Sequence, residues 1–396
     1  MRVAGVAYGS FRGDASREQR IRGIAGRVFG NYTSTGCRQV RQWYSSSNYD
    51  SYWIPTNLVN VVVTDEVKID YGAFQNCEDL RSVTILDGVT DIGSYAFQGC
   101  SSLEDVVLPD TVVSVGSYAF QNCKSLSAEA LASFPTSLKT VGSYAFSGCE
   151  RALGEVVIPE GVEVIGSYAF QNCYNVTNVT ISSTVTNIGQ CAFQDCRSLR
   201  SLVIPDNVLY IGYGAFGGCA SLESLTIPFV GARRGNDGTS EALFGNMFGS
   251  NTSTGGRMIR QYYVSSSGYG YSNNYYIPTN LAEVVVTDET KIGYGAFYGC
   301  EDLRSVTIGE GVATIGTSAF YGCLRLEDVE IPDSMVSIDG TAFSGCASLM
   351  YDTASISGLK LLDGWVSGYT AELTGKLDLT NVRGIIAGDI SGTVRG

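Results

Sequence analysis

One segment recurs ten times along this chain with small changes, and its second copy reads Gly93-Ser94-Tyr95-Ala96-Phe97-Gln98-Gly99-Cys100. A cysteine always follows three residues after its phenylalanine, which is Phe74, Phe97, Phe120, Phe146, Phe170, Phe193, Phe216, Phe297, Phe320 or Phe343. A fixed period of this kind predicts one supersecondary unit stacked on itself, with each unit contacting only its neighbours. Stacked repeats more often present a surface than a catalytic pocket, so the period also bears on function.

Each repeat unit contains a half-buried strand. Val83 and Ile85 alternate with polar residues, which predicts that these two side chains face inward. Several units end the strand with a proline, at Pro159, Pro205, Pro228 and Pro332. Proline lacks an amide donor and fixes its own φ, so it suits a corner. A second short extended segment follows, and the Ala-Phe-x-x-Cys-x-x-Leu portion predicts a short helical or irregular turn with phenylalanine and cysteine inward.

Successive phenylalanines lie 23 to 26 residues apart within an uninterrupted run, and one coil of a leucine-rich-repeat solenoid has about 20–29 residues. We therefore predict a repeat solenoid: a leucine-rich-repeat right-handed coil with a parallel β-sheet on one face and short helical or irregular turns opposite, mainly β with little α. No coil could stand alone, because each buries only five or six large apolar groups at about 1.5–3 kcal/mol apiece before entropy costs.

The period is interrupted in two places. Residues 127–135 replace the expected strand, and we predict a short helix in that coil. The interval between Phe216 and Phe297 is far too long for one coil, and a duplication explains it, because residues 248–255 match 29–36. Each copy of the larger module then opens with an aromatic, Ser/Gly-rich insertion that protrudes from the solenoid. The predicted organisation is an N-terminal arm and first aromatic insertion at 1–56, repeats at 57–228, a second aromatic insertion at 229–280, repeats at 281–350 and an incomplete repeat at 351–396.

The pattern Val-x-Ile-Pro-x-x-Val-x-x-Ile-Gly-x-x-Ala-Phe-x-x-Cys, as at residues 156–173, closely resembles the BspA-type (Treponema pallidum-type) leucine-rich repeat. The resemblance covers about residues 53–228 and 276–350. It implies a bacterial protein that is secreted or attached to the cell surface, in a family with members that bind host matrix proteins or neighbouring cells. The N-terminus has no signal-peptide pattern and neither terminal coil has an obvious polar cap. We therefore expect an internal piece of a longer protein or a shortened relative.

Composition narrows the choice of partner. The net charge is −13 and only 16% of the residues are charged, so neither nucleic acid nor an anionic membrane is expected as a partner. No apolar run is long enough to span a bilayer. Ser, Thr, Asn, Gly and 24 Tyr supply the polarity instead, a composition common on adhesive extracellular surfaces. The family resemblance implies an extracellular or cell-surface location and a protein or glycan partner on another cell or matrix. The uncapped ends also suggest self-association.

Most catalytic and metal chemistry is excluded by residue type. Histidine is absent, which removes Ser-His-Asp triads, Cys-His dyads and zinc sites with a histidine ligand. No cysteine pair has zinc spacing and no phosphate-binding loop is present, so we predict no metal, no cofactor and no enzyme activity. Paired carboxylates similar to glycosidase acids occur at Glu78-Asp79, Glu104-Asp105, Glu301-Asp302 and Glu327-Asp328. Their recurrence at the edges of the repeats favours a solvated surface instead.

The repeat cysteines allow two interpretations. The first is a column of buried reduced thiols that act as small hydrophobic groups. The second is a set of disulfides between adjacent coils, since strands about 4.8 Å apart fall within the Cα range of a disulfide. Parallel side chains in a stack disfavour the dihedral angle that a disulfide needs. Cys37 differs from the others, because its counterpart in the second module is Gly256, and we predict an exposed thiol there.

Two surfaces are candidates for binding. The outward strand positions form a ladder: Val62, Thr84, Val107, Val157, Thr180, Val203, Thr226, Val285, Thr307 and Glu330. The β-propensity of branched residues also explains this ladder. The aromatic insertions are better candidates, because Tyr among Ser and Gly recognises partners at low entropic cost. The candidate partner-binding residues are Trp43, Tyr44, Tyr49, Tyr52, Trp53, Tyr262, Tyr263, Tyr269, Tyr271, Tyr275 and Tyr276.

The same aromatic residues can also pack a hairpin against the flank of the solenoid, and the two interpretations are compatible. From these features we predict a non-enzymatic binding or adhesion module that contacts protein or glycan. The alternative is a structural scaffold element that self-associates or stacks end to end.

Overall fold

A computed structural model describes residues 2–3, 37–43, 48–56, 58–64, 67–127, 134–151, 154–236, 238–250, 255–265, 267–356, 359–369 and 379–386. These residues belong to two compact units, Met1–Leu199 and Arg200–Gly396. Each unit is a leucine-rich-repeat solenoid of stacked coils, as predicted. The predicted helix within 127–135 falls on residues 128–133, which lie outside the described residues, as does most of the predicted N-terminal arm.

Unit 1 is built from short strands joined by turns. Its strands are β1 (Arg2–Val3), β2 (Cys37–Trp43), β3 (Tyr49–Pro55), β4 (Asn60–Thr64), β5 (Lys68–Ile69), β6 (Ser82–Ile85), β7 (Asp91–Ile92), β8 (Asp105–Val107), β9 (Ser114–Val115), β10 (Thr140–Val141), β11 (Gly154–Ile158), β12 (Val164–Ile165), β13 (Val176–Ile181) and β14 (Asn187–Ile188). Strands β4, β6 and β8 form one parallel sheet, with β1 antiparallel at its edge, and β11 pairs with β13. The two-residue strands form a second parallel sheet on another side of each coil.

Unit 2 repeats this plan and contains two hairpins. Its strands are β15 (Ser201–Val203), β16 (Tyr210–Ile211), β17 (Ser224–Ile227), β18 (Gly256–Val264), β19 (Gly270–Pro278), β20 (Glu283–Val286), β21 (Lys291–Ile292), β22 (Ser305–Ile308), β23 (Thr314–Ile315), β24 (Asp328–Glu330), β25 (Ser337–Ile338), β26 (Leu359–Leu362), β27 (Trp365–Tyr369) and β28 (Gly384–Ile385). Strands β15, β17, β20, β22 and β24 form one parallel sheet, and β21, β23 and β25 form another. The helices among the described residues are two 3₁₀ turns, Ser240–Ala242 and Phe244–Met247.

Neighbouring coils pair in the register that the repeat predicts. Val61 lies opposite Val83 and Val63 opposite Ile85, so equivalent positions of successive units meet. The predicted alternation is confirmed, because Val83 and Ile85 are buried while Thr84 is exposed. The core of each coil therefore consists of the same apolar positions stacked on those of the next coil.

The Ala-Phe segment forms an irregular turn rather than a helix, and its backbone bonds to the next coil. The Phe97 amide donates to the Ala119 carbonyl at 2.7 Å. The Phe97 and Phe120 rings lie parallel, with centroids 5.1 Å apart and planes 7° apart. Stacked aromatic pairs contribute about 0.5–1.5 kcal/mol each beyond burial, so this column of rings stabilises the contact between coils.

The repeat cysteines form a second buried column. All twelve cysteines lie within the described ranges, and each is a thiol rather than part of a disulfide. The disulfide interpretation is therefore wrong and the buried-thiol interpretation is confirmed. Several of these thiols also form hydrogen bonds between coils: Cys100 Sγ donates to the carbonyl of Phe74 in the preceding coil at 3.1 Å, and Cys323 does the same to Phe297 at 3.2 Å.

Burial raises the pKa of Cys100, Cys123 and Cys149, whereas a hydrogen bond with Cys323 lowers the pKa of Cys346. The thiolate is the nucleophilic form, and its fraction falls about tenfold for each unit by which the pKa rises. We therefore expect iodoacetamide at neutral pH to alkylate the half-exposed Cys37 early, and Cys100, Cys123 and Cys149 only after unfolding. Mass spectrometry with and without urea measures this, and Cys37→Ser is the control that should remove the fast label. Labelling of Cys123 at the rate of Cys37 in the folded chain would contradict it.

The second insertion is an enlarged coil of the stack. Strand β17 pairs directly with β20 in parallel register, so the residues between them make up a single coil. Toward the next coil, Phe244 takes the place of the repeat phenylalanine, because its amide donates to the Ala296 carbonyl at 2.9 Å and its ring lies 4.8 Å from that of Phe297. Toward the preceding coil, the Phe216 amide donates to the carbonyl of Met247, which precedes Phe248. The long interval between Phe216 and Phe297 therefore holds an extra coil whose phenylalanine the repeat pattern does not reveal.

Four successive coils of unit 1 hold a tyrosine in a left-handed backbone conformation. Tyr95, Tyr118, Tyr144 and Tyr168 have φ of 62°, 61°, 58° and 60°. Such a conformation costs a residue other than glycine about 1–2 kcal/mol. Their rings stack on one another at 4.4 to 4.6 Å, and stacking of about 0.5–1.5 kcal/mol per pair offsets much of that cost. These four residues are called the tyrosine column below.

Candidate interaction surface

The two aromatic insertions form antiparallel hairpins with the same register. The first hairpin, β2–β3, pairs Val40 with Tyr52, and the second hairpin, β18–β19, pairs Ile259 with Tyr275. Val40, Tyr52, Ile259 and Tyr275 are all buried. One face of each hairpin therefore packs on its own unit, which confirms the prediction of a hairpin against the solenoid flank.

An arginine at the base of each hairpin binds the acidic pair of the following coil. Arg257 Nε and Nη2 donate to Asp302 at 2.7 and 3.1 Å, and its Nη1 donates to Glu301 at 3.0 Å. Arg38 makes the equivalent pairs with Glu78 and Asp79. The Asp302 side chain is only 9% exposed, so the prediction of a solvated pair is wrong there. A two-pronged arginine–carboxylate pair fixes orientation as well as adding energy.

A buried glutamine on β18 bonds the second hairpin to the backbone of its own coil and to that of the next coil. Gln261 is fully buried; its side-chain oxygen accepts from the Gly245 amide at 2.7 Å. Its nitrogen donates to the carbonyls of Ala296 and Tyr298, both at 3.2 Å. Because buried polar groups left without partners are costly, these three bonds hold the hairpin in one position.

Replacing Gln261 with leucine is expected to loosen the second hairpin. The substitution keeps a similar volume but leaves the Gly245 amide and the Tyr298 carbonyl without partners, at about 1–3 kcal/mol for each group that water does not reach. The Ala296 carbonyl still accepts from the Phe244 amide. Hydrogen exchange of the β18 and β19 amides should become faster by at least about tenfold, since 1.4 kcal/mol corresponds to that factor. Asn274→Leu, on the exposed face of β19, is the control. Unchanged exchange in Gln261→Leu would contradict the anchoring role.

Tyr275 packs into a gap that only glycine leaves open. It is 1% exposed, and its hydroxyl donates to the Ser240 carbonyl at 3.3 Å and accepts from Asn273 at 3.2 Å. Burial raises the pKa of Tyr275, so the phenol is neutral at physiological pH. A Cβ on Gly245 would lie 2.3 Å from the Tyr275 ring. This tyrosine is thus an anchor of the hairpin and not part of its exposed surface.

The tip of the second hairpin presents the exposed aromatic residues. Tyr263 and Tyr271 pair across the strands with ring centroids 5.5 Å apart. Tyr271 is 49% exposed and Tyr269, in the connecting turn, is 68% exposed. Tyr262 and Tyr276 are half-buried, and the Tyr262 ring contacts that of Tyr298 edge to face at 5.0 Å. The predicted residues of this insertion therefore divide into a buried anchor, a half-buried middle and an exposed tip.

In the first hairpin, Trp53 is half-buried, and Tyr52 is buried like its counterpart Tyr275. Trp43 and Tyr49 face each other at the far end of the paired strands. Their side chains lie outside the described residues, as does the whole of Tyr44. The shared register places Trp43 at the position of Tyr262.

Each hairpin base leaves a small depression over the next coil. In unit 2 it has a volume of about 10 Å³ and is lined by Arg257, Ile259, Ile277, Leu281, Asp302 and neighbours. The equivalent depression in unit 1 also has a volume of about 10 Å³. Each has room for about one water molecule, and the arginine–carboxylate salt bridge lines both. We assign them to the hairpin junction and not to a ligand site.

The rest of the described surface was predicted to hold no metal site and to present a ladder of outward strand residues. No group of acidic or cysteine side chains in the described ranges is arranged to hold a metal ion. Nor does any helix in that part of the chain have the length and apolar character to cross a membrane. The predicted outward ladder is exposed at half of its positions, as at Val107, Val203 and Thr180. Its other positions are half-buried: Val62, Val157, Thr226, Val285 and Thr307.

The family model described as "BspA type Leucine rich repeat region (6 copies)" matches residues 49–149, 130–232 and 271–358, more than half of the chain. The chain belongs to the BspA-type leucine-rich repeat family. No curated protein gives a significant match to this BspA-type chain.

Solved structures similar to this BspA-type protein are also leucine-rich repeat proteins. One, from Bacteroides ovatus, is 24% identical over 81% of this chain and 82% of its own, with a TM-score of 0.45. A leucine-rich cell surface protein from Faecalibacterium prausnitzii is 24% identical over 81% of this chain and 93% of its own, with a TM-score of 0.36. A leucine-rich repeat protein of T. pallidum is 19% identical over 76% and 92%, with a TM-score of 0.23.

The anchoring residues were not among the predicted site residues. The aromatic residues of the insertion are selected from the sequence, because these are its most abundant large side chains, whereas Arg257 and Gln261 between them are not selected. The duplication contains a usable signal, since Arg38, Arg41 and Gln42 recur at Arg257, Arg260 and Gln261 in identical spacing. Polar residues that return at the same positions of two inserted hairpins point to a shared contact with the scaffold.

Proposed function

We propose that this BspA-type protein is a non-enzymatic binding or adhesion module, displayed outside the cell, that contacts protein or glycan through its aromatic hairpins and outer sheet. The observation that carries this proposal is the second hairpin. Its base is fixed by Arg257, Gln261 and Tyr275, while Tyr269 and Tyr271 at its tip remain exposed.

Exposed tyrosines on an anchored hairpin favour the recognition of a partner. Tyrosine offers a large contact area with few rotatable bonds, so little conformational entropy is lost when a partner binds. The anchors described above limit motion of the strands, which lowers the further cost of ordering the tip. Exposed aromatic clusters also favour aggregation, so a cluster on a protein surface commonly marks a site that binds a partner.

Location and partner class rest on composition and family. The resemblance of the repeats to BspA-type proteins implies a secreted or surface-attached chain. The net charge of −13 disfavours nucleic acid and anionic membranes as partners. Hydroxyl, amide and phenol groups dominate the tip of the second hairpin, and such groups bind peptide and sugar surfaces through hydrogen bonds and stacking. The outward ladder combines threonine hydroxyls with valine side chains.

The proposal can be tested with beads that carry the full chain and are applied to cultured epithelial cells and to a glycan array. We expect attachment by the native chain and loss of most of it in the double variant Tyr269→Ser, Tyr271→Ser, because truncation of aromatic hot spots costs about 2 kcal/mol or more each. Tyr369→Ser, which removes another exposed tyrosine, is the matched control. Equal attachment by the native chain and the double variant, or no attachment of either, would overturn the proposal.

A further inference from the structure

The tyrosine column is a regular array of oxidisable phenols in unit 1. The ring centroids of Tyr95, Tyr118, Tyr144 and Tyr168 follow one another at 4.6, 4.6 and 4.4 Å, with planes within 11° of parallel. All four side chains are partly exposed. A small oxidant in solvent can therefore reach the ring edges, while each ring already lies beside a coupling partner in the next coil.

The column is maintained where the repeat itself varies. Other coils have glycine at the left-handed position, as at Gly72, Gly214 and Gly295, and glycine adopts that conformation without strain. The coil between Tyr118 and Tyr144 is longer than its neighbours, yet the two rings stay stacked. The next coil places Cys191 at the same backbone position, also with positive φ, and the column stops there. Burial raises the pKa of Tyr95 and Tyr144, so their hydroxyls keep their protons at neutral pH.

We propose that the tyrosine column is a site of oxidative coupling, at which a peroxidase-type one-electron oxidant joins tyrosines of adjacent coils as dityrosine. Two phenols each lose one electron and one proton to give two phenoxyl radicals. One C–C bond then forms between their ortho carbons, and the hydrogen on each of these carbons moves to oxygen as the rings become aromatic again. Hydrogen peroxide accepts the two electrons and two protons and leaves as two waters.

The geometry favours coupling within one molecule. Phenoxyl radicals in different molecules meet only by diffusion, whereas neighbours in the column are held in contact at an effective concentration far above that of the protein in solution. The product would be a covalent link between coils that otherwise contact each other through non-covalent forces alone. This chemistry is independent of the proposed binding function, so either can fail without the other.

The test treats the full folded chain with horseradish peroxidase and hydrogen peroxide, digests it with trypsin and searches for joined peptides. Residues 140–151 form one tryptic peptide, with Tyr144 as its sole tyrosine, between peptides 82–124 and 152–197 that hold the other members of the column once 125–139 is released. We expect 140–151 joined to 82–124 and to 152–197, each with the mass loss of two hydrogens. The exposed pair Tyr263–Tyr271 lies within a single tryptic peptide and gives no joined species.

Tyr144→Phe keeps the ring and the stack and should abolish both joined species. Tyr118→Phe should remove only the link to 82–124, and Tyr174→Phe, outside the column but within 152–197, should change neither. Peroxidase-treated native chain that contains no such joined peptides would overturn the proposal. It would equally be overturned if dityrosine arose only in cross-linked dimers and fell with dilution, or if Tyr174→Phe lowered the joined species as much as Tyr144→Phe.

Discussion

Replacing Gly166 with alanine is expected to destabilise its coil by about 3 kcal/mol or more, because overpacking that forces the backbone to move lies at the upper end of such effects. A Cβ at this position would lie 2.5 Å from the carbonyl carbon of Gly142 and 2.6 Å from the amide nitrogen of Ser143 in the preceding coil. Both atoms belong to backbone that cannot rotate away. The Gly166 amide also donates to Val141 at 3.0 Å, so moving the coils apart breaks a hydrogen bond.

Hydrogen exchange of the amides around residues 142–190, followed by thermal unfolding, measures this effect. Local exchange is the sharper probe, since coils of a repeat protein can open without global unfolding. Gly270→Ala is the matched control, because a Cβ there meets nothing within 4 Å, and surface substitutions of this kind stay within about 0.5 kcal/mol. If the two variants were equally stable, close backbone approach would not be the reason for glycine at position 166.

Much of the fold follows from the sequence because one pattern is repeated ten times. The alternation at Val83 and Ile85, the proline corner after β11 and the inward Phe-Cys pair all appear as predicted. Because the ten repeats share one pattern of buried and exposed positions, an irregularity in a single repeat does not change the predicted fold. The helical or irregular turn was left open by the sequence, since intervals of three suit both, and the structure has the irregular turn.

The enlarged coil could not be predicted in the same way. Phe244 occupies the repeat position without the Ala-Phe-x-x-Cys pattern, and its place depends on a backbone bond to Ala296 that no local signal encodes. The sequence likewise does not predict which aromatic residues are buried anchors and which are exposed at the tip of the hairpin. Tyr275 and Tyr271 have similar surroundings in sequence, and the glycine at position 245 that admits the Tyr275 ring lies thirty residues earlier.

The stacked phenylalanines are expected to hold the coils together, and Phe170→Ala measures their contribution. Phe170 is fully buried and lies 5.5 Å from the Phe146 ring and 5.4 Å from the Phe193 ring. Truncation of a buried phenylalanine to alanine costs about 3–5 kcal/mol through lost burial and the cavity left behind. Here it also removes two parallel ring contacts, so we expect a value near the upper end, spread over the coils on both sides.

Two further variants separate the ring contacts from burial alone. Phe170→Leu keeps most of the volume and should cost less than about 1.5 kcal/mol if burial dominates, and clearly more if stacking does. Phe343→Ala removes a ring that stacks on Phe320 at 5.2 Å but is already 8% exposed. Because water can enter part of that cavity, we expect a smaller loss than at Phe170. Urea unfolding followed by hydrogen exchange compares the three, and an equal loss at Phe170 and Phe343 would show that each coil is stabilised from within rather than by its neighbours.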